Sequence, residues 1–187
     1  MDPFEYVVVL QSLILGLGIA QLLTGSADVI SNLKNVKPGF AHSFMVFNIF
    51  LMHLQEWWYS YQYGLEITAW TLPIVIVLLI YPILLFILAR MLFPTGLRGN
   101  EKDLKEYFFD QWQWFYAILV AIPVVSMFQN VLISGKDISL QIPQFAMIII
   151  YSAFILTNVK SVRIHNVFQV IQTIIWIGFI VFDPYTL

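Results

Sequence analysis

The stretch His165–Trp176, HNVFQVIQTIIW, is apolar enough to lie in hydrocarbon. It nevertheless carries His165, Gln169, Gln172 and Trp176, which a helix of 3.6 residues per turn stacks on one side. An amide without a partner in oil costs several kcal/mol, so such a stripe predicts a membrane helix whose polar side faces other protein or water. The same line extended reaches Asp183.

The rest of the chain agrees with that reading. Only 11% of its residues are charged, against about 25% in an ordinary globular protein. Hydrophobic residues make up 60% of it, and its mean hydropathy is +0.82. The net charge of −2 and the nine scattered Lys and Arg offer no surface for gripping phosphates, so no direct nucleic-acid partner is expected. With no cysteine there is no disulfide, thiolate nucleophile, iron-sulfur cluster or Cys-ligated zinc. The opening MDPFEY carries Asp2 and Glu5 and no Lys or Arg before the apolar run, so it reads as the start of a retained helix rather than a cleaved signal.

Spanning a hydrocarbon layer about 30 Å thick takes roughly 20 mostly apolar residues. Six segments approach that length, near 6–30, 40–61, 72–93, 107–133, 142–159 and 164–182. The predicted fold is therefore all-α: a polytopic bundle of six transmembrane helices forming a single membrane domain over 1–187. With six spans, Lys34, Lys37, Arg90, Arg98, Lys102, Lys105, Lys160 and Arg163 share one face, and Lys136 alone falls on the other. The positive-inside rule then makes the first face cytoplasmic and both termini extracytoplasmic. Trp57, Trp58, Tyr59, Tyr61 and Tyr63 are expected at the outer interface, and Tyr107, Phe108, Trp112 and Trp114 at the inner one. The expected location is the inner (plasma) membrane of a bacterium.

The polar residues of the other spans also keep to arcs. Gln11, Gly18, Gln21, Gly25 and Asp28 share one side of the first span; Asn48, His53, Gln55, Glu56, Tyr59 and Ser60 cover half of the second. Gln144, Tyr151 and Asn158 recur every seven residues in the fifth. The fourth is less ordered and is interrupted by Pro123. The third has only Tyr81 and is expected at the lipid-facing periphery. Converging arcs admit two readings: dry packing by interhelical hydrogen bonds, or a hydrated, amide- and aromatic-lined cavity. The second makes Gln21, Asn48, His53, Gln55, Glu56, Gln144, Tyr151, Asn158, Gln169, Gln172 and Trp176 cavity-lining, with Glu56 and His53 at a narrow point unless Glu56 sits at the waterline beside Trp57.

Gly16, Ala20 and Thr24 form a small-residue ridge opposite Gln21, suited to helix packing within or between subunits. Arg98, Lys102 and Lys105 lie in the longest connection, which would dock any soluble cytoplasmic partner. His42 and His165 sit at helix ends, but no HxxxH or HExxH spacing exists and no GxSxG, so no cofactor, metal or catalytic residue is expected. In size and helix count the chain resembles the acid-gated urea channels, whose six-helix subunits form hexamers, although none of their motifs falls on residues of this chain. The leading expectation is an oligomeric channel or facilitator for a small polar solute or ion, a homo-oligomer whose partner is the lipid bilayer. The alternative is a membrane-embedded sensing or scaffold subunit; an intramembrane enzyme is the least supported.

Overall fold

A computed structural model describes residues 2–97 and 101–182 of the chain. Six α-helices account for most of them: α1 (Pro3–Ser31), α2 (Phe40–Glu66), α3 (Leu72–Met91), α4 (Leu104–Leu132), α5 (Ile142–Leu156) and α6 (Val162–Val181). A 3₁₀ turn, Ile138–Leu140, precedes α5. The helices run alternately up and down. At one end, the terminal face, Phe4 of α1 meets Tyr61 of α2 and Trp70 of the α2–α3 connection, and Ser134 donates to the Glu66 carboxylate. At the other, the basic face, two-residue strands β1 (Val36–Lys37) and β2 (Lys102–Asp103) pair in parallel and tie together the α1–α2 and α3–α4 connections.

The opening residues explain the start of α1. Asp2 accepts from the Phe4 N–H, Glu5 accepts from the Asp2 N–H at 3.1 Å, and Pro3 occupies the first turn, where its missing N–H costs nothing. The acidic start is a capping box. At the other extreme α5 stops because Asn158 turns into the left-handed region at φ +49°, a conformation that Asn tolerates better than most residues.

The exterior is apolar and the interior mixed, the reverse of a water-soluble protein. Helices α1, α3, α4 and α6 are each long and apolar enough to cross a membrane. Helix α2 misses that standard by composition, although it has 27 residues. Its polar residues Asn48, His53, Glu56 and Ser60 are buried among other helices, whereas Phe40, Phe47, Leu54, Trp57, Tyr61 and Leu65 form its exposed side. Helix α2 is the hub, packed against α1, α3, α4 and α6. Helix α5 misses the standard by length, with 15 residues.

Two expectations change. Helix α3 is not a peripheral helix: Leu78, Leu85, Leu88 and Ala89 are fully buried against α1, α2 and α4, and its opposite side, with Ile76, Ile80, Ile83 and Ile87, is exposed. Phe108 and Trp112 are core residues rather than members of an interfacial belt, while Trp114 is exposed. The Gly16, Ala20 and Thr24 ridge is exposed and a Cβ on Gly16 would meet nothing, so of the two packings expected for it the one within the chain is not formed among the described residues. Close approach instead uses Gly18 and Gly25, where a Cβ would overlap the His53 imidazole and the Phe93 ring respectively.

Candidate functional site

The polar interior divides at about the middle of α2. Toward the basic face, Asn48 of α2, Tyr116 of α4 and His165, Gln169 and Thr173 of α6 form a directed chain of hydrogen bonds. The His165 Nε2–H donates to the Val159 carbonyl at 2.7 Å, which leaves Nδ1 to accept from the Tyr116 hydroxyl at 3.0 Å. Tyr116 in turn accepts from Gln169 Nε2 at 3.5 Å, and Gln169 Oε1 accepts from Asn48 Nδ2 at 3.0 Å. The Thr173 hydroxyl lies 2.7 Å from Asn48 Oδ1 and 2.9 Å from the Gln169 carbonyl, and donates to one at a time. Five aromatic rings, those of Phe108, Phe109, Trp112, Tyr116 and Phe154, stand 5.1–5.6 Å from the His165 ring. Both His165 nitrogens are occupied, so the ring holds α6 against α4 and keeps no lone pair for a metal. His42 likewise donates from Nε2 to the Leu92 carbonyl at 2.6 Å. Among the described residues no three His, Asp or Glu side chains are grouped as metal ligands would be.

Toward the terminal face the same interior opens into a cavity of about 310 Å³ between α2, α4, α5 and α6, with Tyr81 of α3 in its wall. Glu66, Ser134 and Lys136 line it at the helix ends, and Met52, Leu119 and Tyr151 line it deepest. From Glu66 to Met52 is fourteen residues, about 21 Å along α2 at about 1.5 Å per residue. Two prolines shape the wall. Pro123 removes the N–H that would bond the Leu119 carbonyl beside the cavity floor. Pro82 does the same to Leu78 in α3, and there Gln129 Nε2 reaches across to the Val77 and Leu78 carbonyls at 3.0 and 3.4 Å.

Glu56 sits inside, 7% exposed, while its neighbour Trp57 is 51% exposed on the outer side of α2. Glu56 therefore belongs to the cavity wall, where it accepts from the Gln11 amide of α1 at 3.0 Å. Two further wall atoms, the Trp176 indole N–H and Gln144 Oε1, are buried without a hydrogen-bond partner. At the rim, Asp137 accepts from the Ser139 N–H at 2.8 Å, and that bond holds its carboxylate below the usual range next to Lys136.

Of the residues expected to line a cavity, Gln55, Glu56, Gln144, Tyr151 and Trp176 do so. Asn48 and Gln169 are buried but belong to the sealed network, and Gln172 is buried outside the cavity wall with Oε1 unpartnered. His53 does not share a narrow point with Glu56: Nδ1 bonds the Ile49 carbonyl and the ring turns to Gly18 of α1. Gln21 is half-buried on α1 and lines nothing. Asn158 is exposed past the end of α5, where it accepts from Gln113, because the seven-residue repeat outruns a helix that ends at Leu156. Arg98 lies outside the described residues; Lys102 is half-buried in β2, and Lys105 is exposed in the first turn of α4. The arcs did not point to Tyr63, Ser126, Gln129 and Asn130, which also line the cavity. Tyr81 offered a signal in the sequence as the one side chain with polar function from Pro73 to Ala89.

No family profile, curated protein or solved structure matches the chain. The likeness to the acid-gated urea channels is therefore one of size and helix count alone.

Proposed function

We propose that the chain is an integral membrane facilitator for a small polar solute or ion, described here in a state open at the terminal face and closed at the basic face. The observation that carries this reading is the cavity: polar and aromatic walls around Glu56, reaching about halfway along α2. Its volume of about 310 Å³ stands at the lower end of the ligand-pocket range of about 300–1,000 Å³, which suits a solute of a few heavy atoms. The unpartnered Trp176 and Gln144 atoms favour a wall that pairs with an incoming solute. Passage requires the Asn48–Gln169–Tyr116 chain to part in a second state, in which α6 moves against α2 and α4.

The reading includes six spans, with α2 crossing through its apolar outer side and α5 extended by the 3₁₀ turn before it. The concentration of Lys and Arg on the basic face favours a cytoplasmic placement of that face in a bacterial inner membrane, with both termini outside. A homo-oligomer would place the exposed Gly16, Ala20 and Thr24 ridge between subunits. Osmotic re-swelling of proteoliposomes tests transport. Urea or methylammonium chloride should enter faster than into protein-free vesicles, and equal rates for every small solute overturn it.

A second reading, a sensing subunit, draws on the β1–β2 pairing, which joins two basic connections into one surface. In that case the Lys102→Glu, Lys105→Glu double variant loses a soluble partner in pull-down while solute entry stays at the vesicle background.

A further inference from the structure

We propose that the solute of this cavity is a small organic ammonium ion, paired with Glu56 and enclosed by the rings of Tyr81, Tyr151 and Trp176. The inference rests on the reading of the cavity as a solute site and narrows its chemistry. A carboxylate has about four lone-pair positions, and among the described residues Glu56 accepts from one neutral amide, that of Gln11. An ionised carboxylate in hydrocarbon needs a counter-charge.

The described residues near it do not supply one. His53, three residues away, faces α1 with its Nδ1 engaged by Ile49. Lys136 is the one cation among the described lining residues, and it stands at the mouth. Ser134, two residues before it, bonds Glu66, which lies ten residues, or about 15 Å along α2, from Glu56. Lys136 and Glu66 both line the cavity at the helix ends, and the deep wall holds no cation among the described residues.

What surrounds that acid decides the class of cation. Tyr63 and Tyr81 lie within Coulombic range of Glu56, and Tyr151 (2% exposed) and Trp176 (6% exposed) complete an aromatic lining. A bare alkali ion needs several oxygen ligands in place of its water, and rings do not replace them. An alkylammonium ion has a diffuse charge that aromatic faces attract and carbon groups that apolar walls accept.

Calorimetric titration of the purified protein in lipid nanodiscs tests this, with choline chloride, its neutral carbon isostere 3,3-dimethylbutan-1-ol, urea, and sodium chloride as the ionic control. Choline is expected to bind saturably and at least about tenfold more tightly than the isostere. Glu56→Gln keeps an oxygen for Gln11 and should weaken choline about tenfold while leaving the isostere unchanged. Gln144→Cys gives a second readout in this cysteine-free chain, since choline, and not the isostere, should slow its reaction with a water-soluble thiol reagent. Equal binding of choline and isostere, or undiminished choline binding by Glu56→Gln, overturns the proposal. If urea or the isostere binds and choline does not, the cation assignment falls and the solute cavity stands. If nothing binds, both fall.

Discussion

The two halves of the bundle are built from the same side-chain types and use them in opposite ways. In the basic half Asn48, Gln169, Thr173, Tyr116 and His165 are bonded to one another and walled by aromatic rings, so the polar groups act as internal adhesive. In the terminal half Glu56, Gln144 and Trp176 stand around a space, one held by a single amide and the other two with unpartnered atoms. Polarity inside a membrane bundle therefore does not by itself mean a wet path. What distinguishes the two groups is that the network residues bond one another, whereas the Trp176 and Gln144 atoms border a space; Gln172 Oε1, outside the cavity wall, is unpartnered as well.

That contrast breaks first at Asn48. Asn48→Leu is expected to destabilise the protein by about 2 kcal/mol. It strips the donor from Gln169 Oε1, and an orphaned buried group costs about 1–3 kcal/mol, while the Thr173 hydroxyl keeps the Gln169 carbonyl as its acceptor. Glu56→Gln in the other half should cost less than about 0.5 kcal/mol, because it removes a buried charge and preserves the Gln11 contact. Reversible unfolding in mixed micelles measures both. Equal losses at the two positions would erase the distinction between a sealed half and an open one.

The next test concerns the scaffold on which both halves hang. Gly18→Leu forces a side chain into the His53 ring and should cost about 2 kcal/mol by overpacking, while Gly16→Leu, two residues away on the exposed side of α1, should lie within about 0.5 kcal/mol of wild type. Loss of stability at Gly16, accompanied by a change of oligomeric state, would instead locate a subunit contact on the small-residue ridge. Unfolding midpoints and sedimentation of the two variants read these outcomes apart.

How far the sequence discloses this arrangement follows from what periodicity can encode. The side of α6 that carries His165, Gln169, Gln172 and Trp176 is legible because lipid cannot host those groups, and all four are buried. The six helices fall where turn residues and apolar runs put them. Periodicity says which side of a helix turns inward, but not at what depth neighbouring helices separate. Asn48 and Glu56 lie eight residues apart on nearly the same side of α2; one closes a network and the other faces a cavity, and the difference comes from α5 and α6, which sit elsewhere in the chain. Gly18 and Gly25, by contrast, fall on the inward arc that periodicity assigns to the first span, and both are buried there. The β1–β2 pairing had no signal at all, since two residues of strand leave no pattern.

The finest test is Trp176→Phe. In the sealed half an aromatic polar group is fully employed: the Tyr116 hydroxyl both donates to His165 and accepts from Gln169, so Tyr116→Phe removes two bonds and should cost about 1–2 kcal/mol. Trp176 presents a donor that no described residue accepts. Its replacement by Phe gives up packing area, but at a wall that already borders empty volume, and it also removes an N–H whose burial without a partner is unfavourable by about 1–3 kcal/mol. The two effects oppose each other, and the net change should fall within about 0.5 kcal/mol, with choline binding retained because the ring face remains. A loss above about 2 kcal/mol in the solute-free protein means that the indole N–H already has an acceptor there. A bound water is the chemistry that fits, and the terminal half would then be a hydrated network rather than a vacant one.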